Sequence, residues 1–572
     1  MSGLLDFLHW LTAHARTAAR AVLRRVFPPP RVDVVHLRLE GVLSEGLPPP
    51  LWWGLRFERR RYLLHVLECL DRAARDRDLR AIWITIDHLE AGWSVIQTLR
   101  EAILEARQAG KQVIIFLEEA GSGTAFLAAA ADRIVMAPPG SLHLTGLRAE
   151  VLFLRGALDR AHVEAEIVRL GEYKSAAEPL TRTSLSPEAR EALESILDDL
   201  YDQLVSGIAE GRRLAPERVR DLINAGPYRA QAAKDARLVD EVCYEDELEA
   251  RLPEFLGQPG RKPLVLPAGD YLRMARRMPP PAGSRVPPPR MALVLAEGFI
   301  RSGHARAFPP SRAVASASFI EALRQARDDP RVRAIVMRVN SPGGSGLASD
   351  VIWRELRLAR EKKPLVVSMG DVAASGGYYL AMGADWIVAE PATLTGSIGV
   401  IAGKVNLRGL YDLLGLSKEA IDRGERAGAQ SDYRPFTKEE RKKLEEDIRA
   451  IYEDFVAKAA SCRNLQAEEV NKAARGRVWT GRQALSLRLV DELGGIRAAI
   501  AAAKRRAGIP FAQPVRLEVY PRAVPSPLGF LGRSPFRGIP RAATEALALA
   551  EAAALVREGE PLALWPVVVK IR

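Results

Sequence analysis

A serine followed directly by two glycines is a hydroxyl that other groups can approach. Residues 371–382, DVAASGGYYLAM, put Ser375 in that setting, between a run of small residues and Gly376–Gly377. Glycine has no Cβ, so its backbone N–H groups stay unshielded. Two readings fit the segment. Ser375 is a nucleophile for acyl transfer whose oxyanion meets backbone donors, or it marks a tight strand-to-helix turn that needs small residues. The stretch alone supports both. A second glycine pair, Gly343–Gly344 in NSPGGS, and Ser397 in TLTGSIGV raise the same question.

Deciding it requires the elements that hold these residues. The chain repeats itself: LRAIWITI (79–86) matches VRAIVMRV (332–339), and the same offset pairs ADRIV (131–135) with ADWIV (384–388) and LRGALD (154–159) with LRGLYD (407–412). After a two-residue slip, 186–205 pairs with 437–456 and RLVDEV (237–242) with RLVDEL (488–493). A tandem duplication follows. Each half runs from a β-rich segment through a helical pattern to a buried strand (AIWITID, AIVMRVN), a second helix and a third apolar strand (KQVIIFLEE, KPLVVSMGD). Strands alternating with helices predict parallel βαβ units in an α/β fold, whose functional groups gather where strands end. NSPGGS and AASGG both stand at such strand ends.

The two copies act as controls for each other, because a purely structural requirement should survive in both. They differ at polar positions. NSPGGS (340–345) faces DHLEAG (87–92), ASGGYY (374–379) faces GSGTAF (121–126), and Ser397 faces Leu144, while Lys174 in GEYKSAAEP faces Ala427. The second half keeps the glycine-rich segments and the first half keeps a lysine. Ser122 stands opposite Ser375.

With SPGGS, AASGGYY, LTGSIGV and GEYKSAAEP together, the chain resembles the long, duplicated form of signal peptide peptidase A (protease IV) in the ClpP/crotonase superfamily, over roughly residues 32–500. The resemblance implies a tandem ClpP/crotonase-like α/β fold with helical arms. It also implies a serine endopeptidase in which Ser375 is the nucleophile and Lys174, from the other half, the general base. Its substrates would be short hydrophobic peptides such as remnant signal peptides, and its assembly a tetramer. Chemistry agrees with such a pair: a lysine of ordinary pKa, near 10.4, offers almost no free amine at neutral pH, so Lys174 is expected to be buried, where desolvation disfavours its charged form. Glu172 or Glu178, if close, would oppose that. Oxyanion donors are expected from Gly376 and from Gly343 or Gly344, and Ser397 is placed to orient the lysine. Ser122 is expected to be inert, since its half lacks the SPGGS segment. A crotonase-like acyl-CoA enzyme, which would rely on carboxylates, and a catalytically silent membrane scaffold are the rival readings.

Bulk properties narrow the remainder. The 572 residues, 48% of them hydrophobic, suffice for two to four domains. Cys69, Cys243 and Cys462 lie too far apart in sequence to suggest a disulfide framework or zinc site, and no metal or other cofactor is expected. No histidine falls in the motifs. The net charge of +12 would suit an anionic surface, but the basic residues are spread among acidic ones and no nucleic-acid motif is present. Five segments are expected: a basic amphipathic helix (1–31), the first repeat (32–257), a proline-rich linker (258–290), the second repeat (291–510) and an extension of unassigned role (511–572). The first helix, with Phe7 and Trp10, is too interrupted by charge to cross a bilayer. It suits either an anionic membrane interface or docking on protein, so peripheral membrane association is expected, on a side left open.

Overall fold

The computed structural model describes residues 31–45, 61–277, 288–305, 313–521 and 562–564. The expected helix over 1–31 lies outside them apart from Arg31. So do the alanine-rich stretch near 541–557 and, within the expected linker, Pro279–Pro281 and Pro287, whereas Pro259, Pro263 and Pro267 are described and Val265–Pro267 forms a strand. The chain divides into two compact units: Met1–Gly92 with Leu99–Gly146 and Leu204–Pro287, and Trp93–Thr98 with Leu147–Gln203 and Pro288–Arg572. The Lys174 segment therefore packs in the unit that holds Ser375.

In the first unit, strands β1 (Val34–Ser44), β2 (Ala81–Glu90), β3 (Gln112–Gly121) and β4 (Arg133–His143) lie parallel in that order. Ala81–Ile86 and Val113–Leu117 are buried at every position. Unbroken apolar runs of this kind belong to parallel sheets covered on both faces. Helix α1 (Trp93–Gln108), split between the units after Thr98, connects β2 to β3, and α2 (Ser122–Ala128) follows β3 directly.

The second unit begins its own elements with β5 (Glu164–Leu170) and α3 (Pro187–Arg212), which belongs here up to Gln203. It continues through β6 (Arg290–Glu297), β7 (Phe299–Arg301), β8 (Val332–Ser341), β9 (Gly343–Ser345), β10 (Leu365–Ala374) and α4 (Gly376–Ala381). The set closes with β11 (Leu394–Gly396), β12 (Val400–Asn406), α5 (Lys438–Arg463), β13 (Val478–Thr480) and β14 (Leu562–Leu564). Its main sheet orders β13-β11-β10-β8-β6 and then Arg516–Tyr520. β6, β8 and β10 reproduce the parallel arrangement of β1, β2 and β3, so both repeats carry one α/β topology. Ile335, Met337, Val339, Val367 and Met369 form its core with Tyr378. A smaller sheet orders Ala313–Ala315, β7, β9, β14, β12 and β5.

The two expected arms are the 26-residue helices α3 and α5. α5 is started by a capping box in which the Thr437 hydroxyl accepts from the Glu440 N–H and the Glu440 carboxylate accepts from the Thr437 N–H. Leu200 and Leu204 on α3 are buried and Leu193 and Leu197 half-buried, so the chain itself covers most of that stripe. Among the described residues, Leu413, Leu414, Leu416 and Ile421 are exposed close together in sequence, and Leu152, Leu347 and Phe511 are exposed elsewhere. No described helix is long and apolar enough to cross a membrane.

Candidate active site

Ser375 sits at the junction of β10 and α4 with φ 58° and ψ −114°. A non-glycine residue held in such a conformation costs about 1–3 kcal/mol and persists only where its surroundings impose it. Here the Ser375 N–H donates to Gly396 O (2.8 Å) and its carbonyl accepts from the Tyr379 N–H (2.8 Å). A Cβ on Gly377 would come within 2.5 Å of Ser341 O, so the turn can press against the end of β8 only with glycine there. Tyr378, fully buried, donates its hydroxyl proton to Leu489 O (3.1 Å) and anchors α4. The small residues around Ser375 thus serve the turn and the exposure of its hydroxyl together.

Lys174 arrives from the other sheet. β5 and β12 pair antiparallel from Glu164↔Asn406 to Leu170↔Val400. The chain leaving Leu170 and the chain entering Val400 therefore meet at one end of the ladder, which brings Lys174 beside Ser397. The Lys174 Nζ lies 2.6 Å from Ser375 Oγ, 2.8 Å from Ser397 O and 3.0 Å from Ser397 Oγ. The side chain is fully buried (0% exposed), and desolvation pushes its pKa well below the ordinary lysine value. A neutral amine has two N–H donors and one lone pair. In that form, with the donors on the two oxygens of Ser397, the lone pair would be left facing the Ser375 hydroxyl.

Close approach makes that burial possible. A Cβ on Gly476 (φ +82°) would stand 2.5 Å from the Lys174 N, and one on Gly399 would stand 3.1 Å from the lysine Cδ. The carboxylates that sequence proximity made suspect are held elsewhere. Glu178 accepts from Arg169 (2.9 Å) and from the Ser186 N–H (3.0 Å), and Glu172 from Arg475 (2.7 Å). Burial is thus left to act on Lys174 without a counter-ion.

Of the expected oxyanion donors, Gly376 opens α4, where N–H groups lack an intrahelical acceptor. Gly343 and Gly344 form β9 with Ser345. The Gly343 N–H points to Ser341 Oγ (3.2 Å), and Gly344 (φ +154°) passes so near Ile300 that a Cβ would meet its carbonyl at 2.0 Å. Ser122, by contrast, opens α2 in the first unit and donates its hydroxyl proton to Gly146 O (2.9 Å). Its partner is an acceptor with no basic lone pair to activate it, and Ala427, opposite Lys174 in the repeat, is exposed.

Three supporting residues escaped sequence reasoning. Asn340 sits at an irregularity in the β8–β10 pairing between Val339 and Ser341, where its Oδ1 accepts from the Val372 N–H (3.2 Å) and its carbonyl from the Gly298 N–H (3.0 Å). Its place in NSPGGS was the available signal. Gly399 likewise had its place in LTGSIGV, whereas Gly476 had no signal, since a lone glycine does not reveal which backbone it lets through.

Residues 105–257 and 357–510 each match the model of Peptidase family S49, so the match falls once on the lysine-bearing half and once on the serine-bearing half. The chain is 35% identical over 488 residues to the chloroplastic serine protease SPPA of Arabidopsis thaliana, covering 85% of this chain and 71% of that protein. It is 32% identical over 451 residues to Protease 4 of Salmonella typhi, covering 77% and 71% respectively. Among solved structures it matches a ClpP1 mutant of Listeria monocytogenes with TM-score 0.23 and 15% identity, over 36% of this chain and 94% of that one.

The buried amine sets a direction for pH dependence. A protonated Lys174 has no lone pair, so phosphonylation of Ser375 by a fluorophosphonate probe, with loss of fluoride, should accelerate as pH rises through the lowered lysine pKa and level off above it. Lys174→Arg should label at least about a hundredfold more slowly at every pH, because a guanidinium keeps its proton. Labelling of Lys174→Arg at the unmodified rate would contradict the base assignment.

Proposed function

The chain belongs to Peptidase family S49 and is a serine protease, and we propose that Ser375 is its nucleophile and Lys174 its general base. The observation that carries this reading is the 2.6 Å contact between the Ser375 hydroxyl and a lysine amine buried without a counter-ion. In the reaction Ser375 Oγ attacks the peptide carbonyl while its proton passes to Lys174 Nζ. The resulting oxyanion lies against the Gly376 N–H and an N–H of the Gly343–Gly344 pair, each such donor being worth about 2.7–4 kcal/mol. Lys174 returns the proton to the leaving amine. Water, activated by the same amine, then releases the acyl group from Ser375. Ser397 keeps the amine aimed at Ser375 throughout. The engagement of Glu172 and Glu178 with arginines counts against the carboxylate chemistry of an acyl-CoA enzyme.

An apolar pocket supports a preference for hydrophobic peptides. A shallow apolar depression opens to solvent beside Tyr173 and Ser175, lined by Val151, Phe153, Leu193, Ile196 and Val478 among others. Ile196 and Val478 also pack with Ala374, the residue before the nucleophile, so the pocket adjoins the reacting centre. It suits a large apolar substrate side chain, as in remnants of signal peptides. The exposed Leu413, Leu414, Leu416 and Ile421 support self-association, which we assign to a tetramer. The basic amphipathic pattern of residues 1–31 supports peripheral attachment to an anionic membrane.

Three outcomes test this reading. Ser375→Ala should abolish peptide hydrolysis and Ser122→Ala leave it within about twofold, judged against the roughly 10⁶-fold scale of losing a nucleophile; the reverse pattern would move the site to the first unit. Ala192→Phe, on a residue lining the pocket, should lower kcat/KM for peptides with a large apolar residue at the cleavage site by about ten- to a hundredfold, the equivalent of burying one such side chain, and spare those with alanine. Deleting residues 1–27 should keep peptidase activity while abolishing salt-sensitive binding to anionic liposomes in a flotation assay.

A further inference from the structure

Residues 474–477, just ahead of β13, are laced between the two segments that meet at Lys174. The Tyr173 N–H donates to Arg475 O (3.0 Å), the Gly476 N–H to Ile398 O (2.8 Å) and the Ser397 N–H to Arg477 O (2.7 Å). Gly171 (φ +102°) lies so close that a Cβ there would stand 2.4 Å from the Arg475 carbonyl carbon. Side chains repeat the connection. Arg475 pairs with Glu172 (2.7 Å) and Arg477 with Glu191 on α3 (2.6 Å), while Tyr173 donates its hydroxyl proton to the other oxygen of the same Glu191 carboxylate (3.0 Å). The Arg477 guanidinium carbon lies 4.9 Å from the centre of the Tyr173 ring and 4.4 Å from that of Trp479, distances at which a cation is attracted to a ring face. Tyr173 is thus fixed at its N–H, its ring and its hydroxyl, and it is the residue before the proposed base.

Ion pairs at the surface add little to stability, and Glu191 is exposed, so stability is a poor account of contacts that converge on one tyrosine. Position is a better one. A lysine carries its amine on a flexible four-carbon stem, so the place of the nitrogen follows that of the backbone, and a misplacement of about 1 Å in a reacting group can cost about a hundredfold in rate. Tyr173 and Ser175, on either side of Lys174, also line the apolar depression that opens to solvent. Whatever fixes Tyr173 therefore also keeps water from the lysine. We propose that Tyr173, Glu191 and Arg477 form a lock that positions Lys174, aiming its amine at Ser375 and excluding water from it. All three are positioning residues, since they act on the reaction through Lys174. This inference rests on the protease reading above.

The test compares the full chain with Arg477→Met, Glu191→Ala, the double variant carrying both, and Arg477→Lys. Each is assayed for hydrolysis of a fluorogenic apolar peptide and for the pH dependence of Ser375 phosphonylation, with the active fraction fixed by titration with the fluorophosphonate. The charged and titratable groups around Lys174 are Glu172, Tyr173 and Glu178 on its own segment, Arg169 on β5, Arg475 and Arg477 ahead of β13, Glu191 on α3, and Tyr452 on α5, whose hydroxyl oxygen accepts from the Arg475 N–H (3.2 Å). Were charge alone at work, Arg477→Met would raise the pH midpoint by leaving Glu191 unopposed and Glu191→Ala would lower it, while the double variant, which loses one charge of each sign, would leave it in place. The double variant therefore decides. Water reaching the amine favours its protonated form, so the lock requires that midpoint to rise by about one pH unit. It also requires kcat to fall about tenfold with KM within about twofold, and Arg477→Lys, which keeps a cation over the rings, to stay within about threefold of the unmodified chain. A midpoint unmoved in the double variant, a rise in KM with kcat unchanged, or an Arg477→Lys chain as impaired as Arg477→Met would overturn the lock while leaving the protease reading intact. An unmodified pH profile in a Lys174→Ala chain would overturn that reading, and the lock with it.

Discussion

On the assignment proposed above, the Lys174 amine has to stay uncharged near neutral pH, and its packing in the second unit meets that constraint. Solvation holds the proton on a lysine up to about pH 10.4, and burial away from water and from carboxylates removes that preference. Lys174 is wholly buried, and among the described residues its nitrogen's hydrogen-bond partners are Ser375 and Ser397. The acidic residues flanking it in sequence are engaged by arginines, Glu172 by Arg475 and the buried Glu178 by Arg169. The arrangement costs stability: unfolding takes up a proton throughout the range between the lowered native pKa and 10.4, so this group's contribution rises with pH across that window. Such a destabilisation is the counterpart of the base role proposed for Lys174.

The rest of the unit supplies rigidity where that amine is aimed. Ser375 is held with positive φ by hydrogen bonds from two directions, and Ser397 (φ 53°), whose N–H donates to Arg477 O (2.7 Å), is likewise held off ordinary backbone geometry. Strain at both ends of the contact means that neither oxygen position is free to relax toward a commoner rotamer or turn. Glycines at 377, 399 and 476 allow backbone and lysine stem to approach at distances that a Cβ would prevent.

Duplication explains how such a site came to be distributed along the chain. Both repeats fold into the same parallel arrangement because both keep the buried β-branched strands. Their polar positions have diverged, so that one set of groups serves one centre. Ser122 shows what remains in the other copy: the same strand-to-helix position, with the hydroxyl committed to a carbonyl.

Much of this was legible in the amino-acid sequence. Unbroken apolar strands, helical periods between them and the repeated segments specify a doubled α/β fold, because they are local patterns with a fixed period. Ser375, the glycine pairs and Lys174 could be singled out by comparing the copies, since loss in one copy exposes what the fold itself does not need. The distance between them could not be read. Lys174 and Ser375 lie 201 positions apart, and nothing local records that β5 leaves the first repeat to pair with β12. The division of the chain into units that cut across the repeats, the passage of the lysine between Gly399 and Gly476, and the place of residues 562–564 over the glycine pair were decided by the tertiary structure alone. Each depends on which backbone lies against which, a relation set by the packing of distant segments and absent from the order of residues in any one of them.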